Sequence, residues 1–213
     1  MKKEKRFELN TITKNDFIQF LIDEKALRFG DFTLKSGLKS PFFINLGDIC
    51  SGGALHFVGK AFAQKIKSDF GGADVLFGPP YKGISLSSAA AIAYTELYQQ
   101  KVFTCYNRKE AKTHGEAGMF VGHTPQKGER IIVIDDVLTT GGTKVEAIEM
   151  LEKTFDVEVQ GVLVTVDRRS KGTDAGLGNY KLSSLITLPD IIAFLKEKND
   201  PGYEMMQSFY EGK

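Results

Sequence analysis

The chain has 213 residues, 42% hydrophobic and 26% charged, which suits one domain with a core of ordinary size. A formal net charge of +1 gives no general pull toward nucleic acid or a membrane surface, so any basic site must be local. No apolar stretch is long enough to span a bilayer, and the charged start MKKEKRFELN lacks the apolar centre of a secretory signal, so a cytoplasmic protein is expected. Cys50 and Cys105 form no metal or redox spacing and read as small buried or half-buried thiols. His56, His114 and His123 lie far apart and make no zinc motif.

Taken in chain order, the first element is a helix starting near Thr13. Thr13 caps it with Asp16 three residues on, and Phe17, Phe20, Leu21 and Leu27 follow at near-helical spacing. FTLKSGLKSPFFIN then reads as two short strands around a turn containing Gly37 and Pro41. From about residue 54 the rhythm changes. Leu55, Val58, Phe62 and Ile66 mark a helix, DVLFG is a short apolar run, and the alanine-rich ISLSSAAAIAYTELYQQ is a second helix. VFTCY and IIVID are strand-like, KVEAIEMLEK is helical, and VQGVLVTVD is strand-like again. Between VFTCY and the apolar run MFVG lies NRKEAKTHGEAG, with Arg108, Lys109, Lys112 and His114 within seven residues. Such a charge run reads either as a solvated surface loop or as a set of cations waiting for an anion. SLITLPDIIAFLKEK offers one more strand and one more helix, with Pro189 in the first turn. Tyr203, Met206, Phe209 and Tyr210 can form a terminal helix that packs on the core. Alternating apolar strands and helices imply a parallel α/β sheet covered on both faces. The expected organisation is a single domain over 1–213. It comprises a helix-and-hairpin hood mainly over 12–50, an α/β core over about 54–188, and C-terminal helices over 189–211.

The strongest chemistry is in RIIVIDDVLTTGGTKVEAI. Apolar residues Ile131 to Ile134 run into Asp135 and Asp136, then Val137 and Leu138. Next comes a loop of Thr139, Thr140, Gly141, Gly142 and Thr143, followed by a helix. In open α/β sheets ligands bind at the carboxyl ends of strands. Glycines let backbone N–H groups approach an anion, and the helix N-terminus adds a positive dipole end. The loop therefore suits a phosphate, and the carboxylates suit ribose hydroxyls or a phosphate-bound Mg²⁺. It is neither a Walker loop nor G-x-G-x-x-G. The ligand-free alternative is that Asp136 and Thr139 merely form a helix cap and turn.

VIDDVLTTGGT resembles the phosphoribosyl-pyrophosphate (PRPP) signature of type I phosphoribosyltransferases. FTLKSGLKSPFFIN, FGPPYKGISL and YNRKEAKTHGEAGMFVG, in that order, resemble segments of the orotate phosphoribosyltransferase family, as does VTVDRRSKG after the PRPP loop. The resemblance runs over about 14–198. It implies an α/β fold with a parallel-sheet type I phosphoribosyltransferase core and a small N-terminal hood. It also implies a reaction: orotate attacks C1 of PRPP, pyrophosphate leaves, and orotidine 5′-monophosphate forms, in pyrimidine biosynthesis, with Mg²⁺ as cofactor.

The resemblance assigns PRPP to Lys35, Tyr81, Lys82, Arg108, Lys109, Lys112, His114, Asp135, Asp136 and the Val137–Leu138–Thr139–Thr140–Gly141–Gly142–Thr143 run. It assigns orotate to Lys35, Phe43, Ile44, Thr139 and Arg168, and catalysis to Lys112, Asp136 and Lys35. No direct metal ligand is assured, since Mg²⁺ comes with PRPP, with Asp135 the nearest candidate. Where the family commonly has an aromatic pair, Ile44 is aliphatic, which argues against ring stacking there. The charged 107–118 loop matches a lid that serves the neighbouring subunit's active site, implying a homodimer with orotate and PRPP as small-molecule partners, and neither nucleic acid nor membrane. Transfer to uracil or a purine would not need Lys35 and Arg168, and a PRPP-sensing nucleic-acid-binding regulator would need a basic surface that the composition does not supply. A fused decarboxylase is not expected in a chain of this length.

Overall fold

In the computed structural model, residues 11–33, 39–109 and 119–212 are described. The N-terminal helix α1 (Lys14–Asp23) begins where the capping pattern predicts. The Thr13 hydroxyl accepts from the Asp16 amide and the Asp16 carboxylate accepts from the Thr13 amide. The helix is shorter than its apolar spacing suggests. Leu27 belongs instead to strand β1 (Leu27–Thr33), which pairs antiparallel with β2 (Lys39–Ile44). Pro41 lies within β2 rather than in the turn, on a two-stranded sheet where a missing ladder donor is tolerated. This hairpin and α1 form the hood.

The remaining strands build one six-stranded sheet: β3 (Val75–Phe77), β4 (Phe103–Asn107), β5 (Phe120–Gly122), β6 (Arg130–Leu138), β7 (Glu158–Asp167) and β8 (Lys181–Thr187). Their spatial order is β5-β4-β3-β6-β7-β8. All neighbours are parallel except β5, which returns antiparallel beside β4. MFVG thus forms an edge strand that closes a hairpin with β4. The connecting helices are α2 (Gly52–Phe70), α3 (Lys82–Tyr98) and α4 (Gly142–Phe155), followed by α5 (Leu188–Glu197) and α6 (Tyr203–Glu211).

Strand period divides the core in two. Along β6, Ile132 and Ile134 join the cluster of α2 and α3 residues that includes Val58, Phe62 and Ala90. Ile131 and Val133 join the cluster of Ala147, Ile148 and Leu151 from α4. These strands are therefore apolar on both faces, as a parallel sheet requires. On the α2–α3 side the hood and α6 join the same cluster: Phe209 meets Phe42 of β2 edge-on at 5.3 Å, and Met206 is fully buried. Met206 and Phe209 thus pack the terminal helix on the core. Of the two thiols, Cys105 is buried in β4, but Cys50 is exposed, because it sits in the irregular stretch before α2.

Candidate active site

The chain runs from β3 through α3 outward to β4, and from β6 through α4 in the opposite direction to β7. β3 and β6 are neighbours, so the crossovers diverge between them. That makes the C-terminal ends of β3 and β6 the switch point where open α/β sheets bind ligands. Close packing there demands glycine. A Cβ on Gly83 would lie 2.9 Å from the Ile134 carbonyl oxygen and 2.8 Å from Pro79 Cδ, which presses the start of α3 against β6. The Pro80–Tyr81 peptide in this turn is cis.

The two acids inherit the strand's alternation. Asp135 continues the Ile131 and Val133 face and meets α4. Its Oδ2 lies 2.6 Å from Lys144 Nζ, while its Oδ1 accepts from the Asp136 amide at 2.9 Å. Asp136 continues the other face and meets α3. Its Oδ2 accepts from Lys82 Nζ at 2.8 Å and its Oδ1 accepts from the Val137 amide at 2.8 Å. Burial pushes the Asp135 carboxyl above its ordinary range, against the pull of the Lys144 ammonium. Lys82 is more than two-fifths exposed, at 43%, whereas Lys144 is buried.

The capping alternative for Asp136 and Thr139 is not realised. The N-cap of α4 is Gly141, with no side-chain cap hydrogen bond. Thr139, Thr140, Gly142 and Thr143 are exposed, and a Cβ on Gly142 would meet nothing within 4 Å. Gly141 is buried, and a Cβ there would collide with the Ala175 carbonyl. The loop is thus pinned on its inner side and open on its outer side, a shape that suits an anion at a helix N-terminus.

At the end of β7 the Arg168 amide donates to the Leu138 carbonyl at 3.0 Å, and the guanidinium lies 5.4 Å over the Phe42 ring. Among the described residues no carboxylate forms an ion pair with Arg168, and burial pulls its pKa down. The next residue differs. Arg169 pairs with Asp167, its Nη2 being 2.7 Å from Oδ2, and donates to the Thr173 carbonyl at 2.9 Å. In β2 the side chains alternate too. Ile44 turns into the core, while Phe43 lies on the opposite face with Phe32 at 5.6 Å and Arg28 at 5.1 Å. Ile44 therefore cannot present its side chain beside Phe43, and only its backbone is available on that face.

The charged loop leaves β4 at the same sheet edge. The Arg108 amide donates to the Met119 carbonyl at 2.7 Å and closes its neck. Lys109 Nζ sits 4.2 Å over the ring of Tyr81, which is 70% exposed. Lys35, Lys112 and His114 lie outside the described residues.

The structure thus brings Lys82, Asp135, Asp136, the Thr139–Thr143 loop and Arg168 to one edge, with Tyr81 and Lys109 beside it. Two participants escaped the sequence reading. For Lys144 the one available signal is a cation in the first turn of a helix, against the dipole. Phe42 falls in a strand-like run, and nothing local in the sequence marks it as the floor under Arg168.

A parallel sheet carrying an acid pair and an open Thr/Gly loop at its switch point is the arrangement of type I phosphoribosyl transfer proteins, and residues 51–196 match the phosphoribosyl transferase domain family. Orotate phosphoribosyltransferase from Clostridium acetobutylicum is 38% identical over 198 residues, 89% of this chain and 88% of that one. Its counterpart from Pseudomonas fluorescens is 40% identical over 86% of this chain and 89% of that one. The crystal structure of orotate phosphoribosyltransferase from Francisella tularensis superposes with a TM-score of 0.79 at 29% identity, covering 92% of this chain and 94% of that one. UMP synthase from Leishmania donovani superposes with a TM-score of 0.72 at 28% identity, over 93% of this chain but 42% of that one. The chain belongs to the orotate phosphoribosyltransferase family.

Proposed function

We propose that this protein transfers the 5-phosphoribosyl group of PRPP to orotate, giving orotidine 5′-monophosphate and pyrophosphate, and so serves pyrimidine biosynthesis in the cytoplasm. The observation that carries the choice of orotate is Arg168. A half-buried guanidinium without an acid partner among the described residues, over an aromatic floor, suits a flat ring bearing a carboxylate. Uracil and adenine carry no carboxylate and would leave it unanswered.

The other roles follow the family resemblance, and the geometry around Lys82, Asp135, Asp136 and the Thr139–Thr143 loop supports those that fall on described residues. The open face of the Thr139–Thr143 loop receives the 5′-phosphate, with Val137 and Leu138 setting its register. Asp136 exchanges its exposed lysine for ribose hydroxyls, with Asp135 beside it, and their charge favours a ribosyl cation as it develops. Lys82, thus released, turns to the pyrophosphate with Tyr81. Lys35 and the backbone of Phe43 and Ile44 complete the orotate site with Thr139. Arg108, Lys109, Lys112 and His114 close over the leaving pyrophosphate, and Lys112 is the catalytic cation there. The two acids already carry lysine and amide partners, and no cluster of three metal-ligating side chains exists among the described residues. This donor set fits Mg²⁺ held chiefly by PRPP and water, with Asp135 and Asp136 as the nearest acids. When bound, Mg²⁺ offsets charge on the pyrophosphate.

The loop is assigned to the neighbouring subunit of a homodimer. In support, an apolar groove of about 800 Å³ lies between α3 and the β4–β5 hairpin, bordered by Ile92, which is 69% exposed. Light scattering that finds only monomer at assay concentrations refutes the dimer. For the reaction, the pure protein is given PRPP, Mg²⁺ and equal orotate, uracil and adenine. Selective loss of orotate absorbance is expected. Turnover of another base, or of none by folded protein, overturns the proposal.

A further inference from the structure

One deeply placed charge near the site has no role in the scheme above. Lys144 is the third residue of α4, 8% exposed, at the positive end of the helix dipole. Burial and the dipole both oppose an ammonium there. Its one described ion-pair partner is Asp135, at 2.6 Å. The acids are thus held in parallel fashion, one oxygen by the following backbone amide and the other by a lysine. The lysines differ in access. Lys82 is exposed and can be displaced by an incoming ligand, whereas Lys144 is walled in beneath the loop.

We propose that Lys144 is a positioning residue for phosphoribosyl transfer, clamping Asp135 under the Thr139–Thr143 loop from the α4 side while Asp136 alone exchanges its lysine for the ligand. This rests on the reading of the site as a PRPP site. The clamp does two things. It ties the end of β6 to the first turn of α4, so the loop between them presents its amides in one arrangement. It also offsets part of the charge on the inner carboxylate, so the polyanionic substrate meets less repulsion from the acid pair while Asp135 stays ionised beside the ribose. With Lys144 removed, Asp135 would be a buried anion beside Asp136 and would move or take up a proton.

The test compares full-length wild type, Lys144→Met, Lys144→Arg, Asp135→Asn and Lys144→Met/Asp135→Asn. It measures PRPP dissociation constants by calorimetry, KM for each substrate, kcat and unfolding midpoints. Lys144→Met is expected to weaken PRPP binding about 10–100-fold, the scale of lost outer partners and small misplacements, while orotate KM moves less than about threefold. Lys144→Arg should recover most of that loss. The double variant should bind PRPP no worse than Asp135→Asn, because Lys144 acts only through Asp135. A Lys144→Met protein with a lowered unfolding midpoint but wild-type PRPP binding overturns the proposal. So does a double variant about tenfold worse than Asp135→Asn. If Lys144→Met does not fold, the Arg variant and the Asp135→Asn comparison decide by the same criteria. Wild type that binds PRPP without consuming orotate refutes the proposed function instead, and the dissociation constants still decide the role of Lys144.

Discussion

Replacing Arg168 by methionine is expected to cost activity and almost no stability. In the free protein its described side-chain contact is the Phe42 ring at 5.4 Å. Such a contact contributes about 0.5–2 kcal/mol. A methionine sulfur against the same ring restores about 0.3–1.5 kcal/mol and relieves a desolvated charge. The net change should lie within about 1 kcal/mol, or about 2–4 °C in unfolding midpoint for a chain of this size. Two parallel charge-assisted hydrogen bonds to the orotate carboxylate, at about 1.5–3 kcal/mol each, would be lost. That predicts a fall of about 10²–10⁴-fold in kcat/KM for orotate. Arg169→Met is the control, with the opposite outcome. It strands Asp167, whose side chain is only 10% exposed, and Arg169 itself is 23% exposed. Breaking a fully buried pair costs about 3–5 kcal/mol, so about 2–3 kcal/mol is expected here, or ~4–12 °C, with orotate kinetics of the folded protein little changed. Scanning fluorimetry and loss of orotate absorbance read both variants. If Arg168→Met loses stability as Arg169→Met does, with orotate KM unchanged, then Arg168 is a packing residue and the reasoning fails.

Lys112→Ala should lower kcat about 100–1000-fold while leaving PRPP binding largely intact, as a contact made in the transition state does; equal losses in binding and rate would contradict that role. Arg130 makes two side-chain bonds of 3.0 Å to Asp74 and holds that carboxyl below its usual 3.8. A depressed folded pKa stabilises above the unfolded value, and the contribution fades as pH falls through the folded one. Asp74→Asn should therefore flatten stability loss below about pH 4, and parallel acid limbs for both proteins would refute the assignment. Burial pushes the Cys105 thiol up to about 12, whereas Cys50 is exposed. A thiol reagent should modify one cysteine quickly and the other only on unfolding; simultaneous reaction of both in folded protein would count against it.

The parts of the fold legible in the sequence were those dictated by neighbours along the chain. Thr13 with Asp16 starts α1, Pro189 stands in the first turn of α5, and the unbroken apolar run of β6 announces a strand buried on both faces. The acid pair and its Thr/Gly loop were legible for the same reason, being contiguous. What stayed hidden depends on contacts across the fold. Leu27 satisfies helical spacing yet pairs with Ile44, because hairpin formation outweighs a weak helical end. Asp135 and Asp136 look equivalent in the sequence. Strand alternation sends one to buried Lys144 and the other to exposed Lys82, and only the packing of α3 and α4 on opposite faces reveals which.

The central adjacency of β3 and β6 also bears on when the protein becomes competent to bind. Leu76 is in register with Ile132, and Lys82 bonds to Asp136 across 54 residues of chain. A nascent chain that has emerged only through α3 holds the lysine without its acid, and closing so long a loop comes late relative to local helices. PRPP binding is therefore a property of the joined β3–β6 pair rather than of either strand alone. On the ribosome, capture of PRPP would mark the moment at which β6 and α4 have joined the strands made before them.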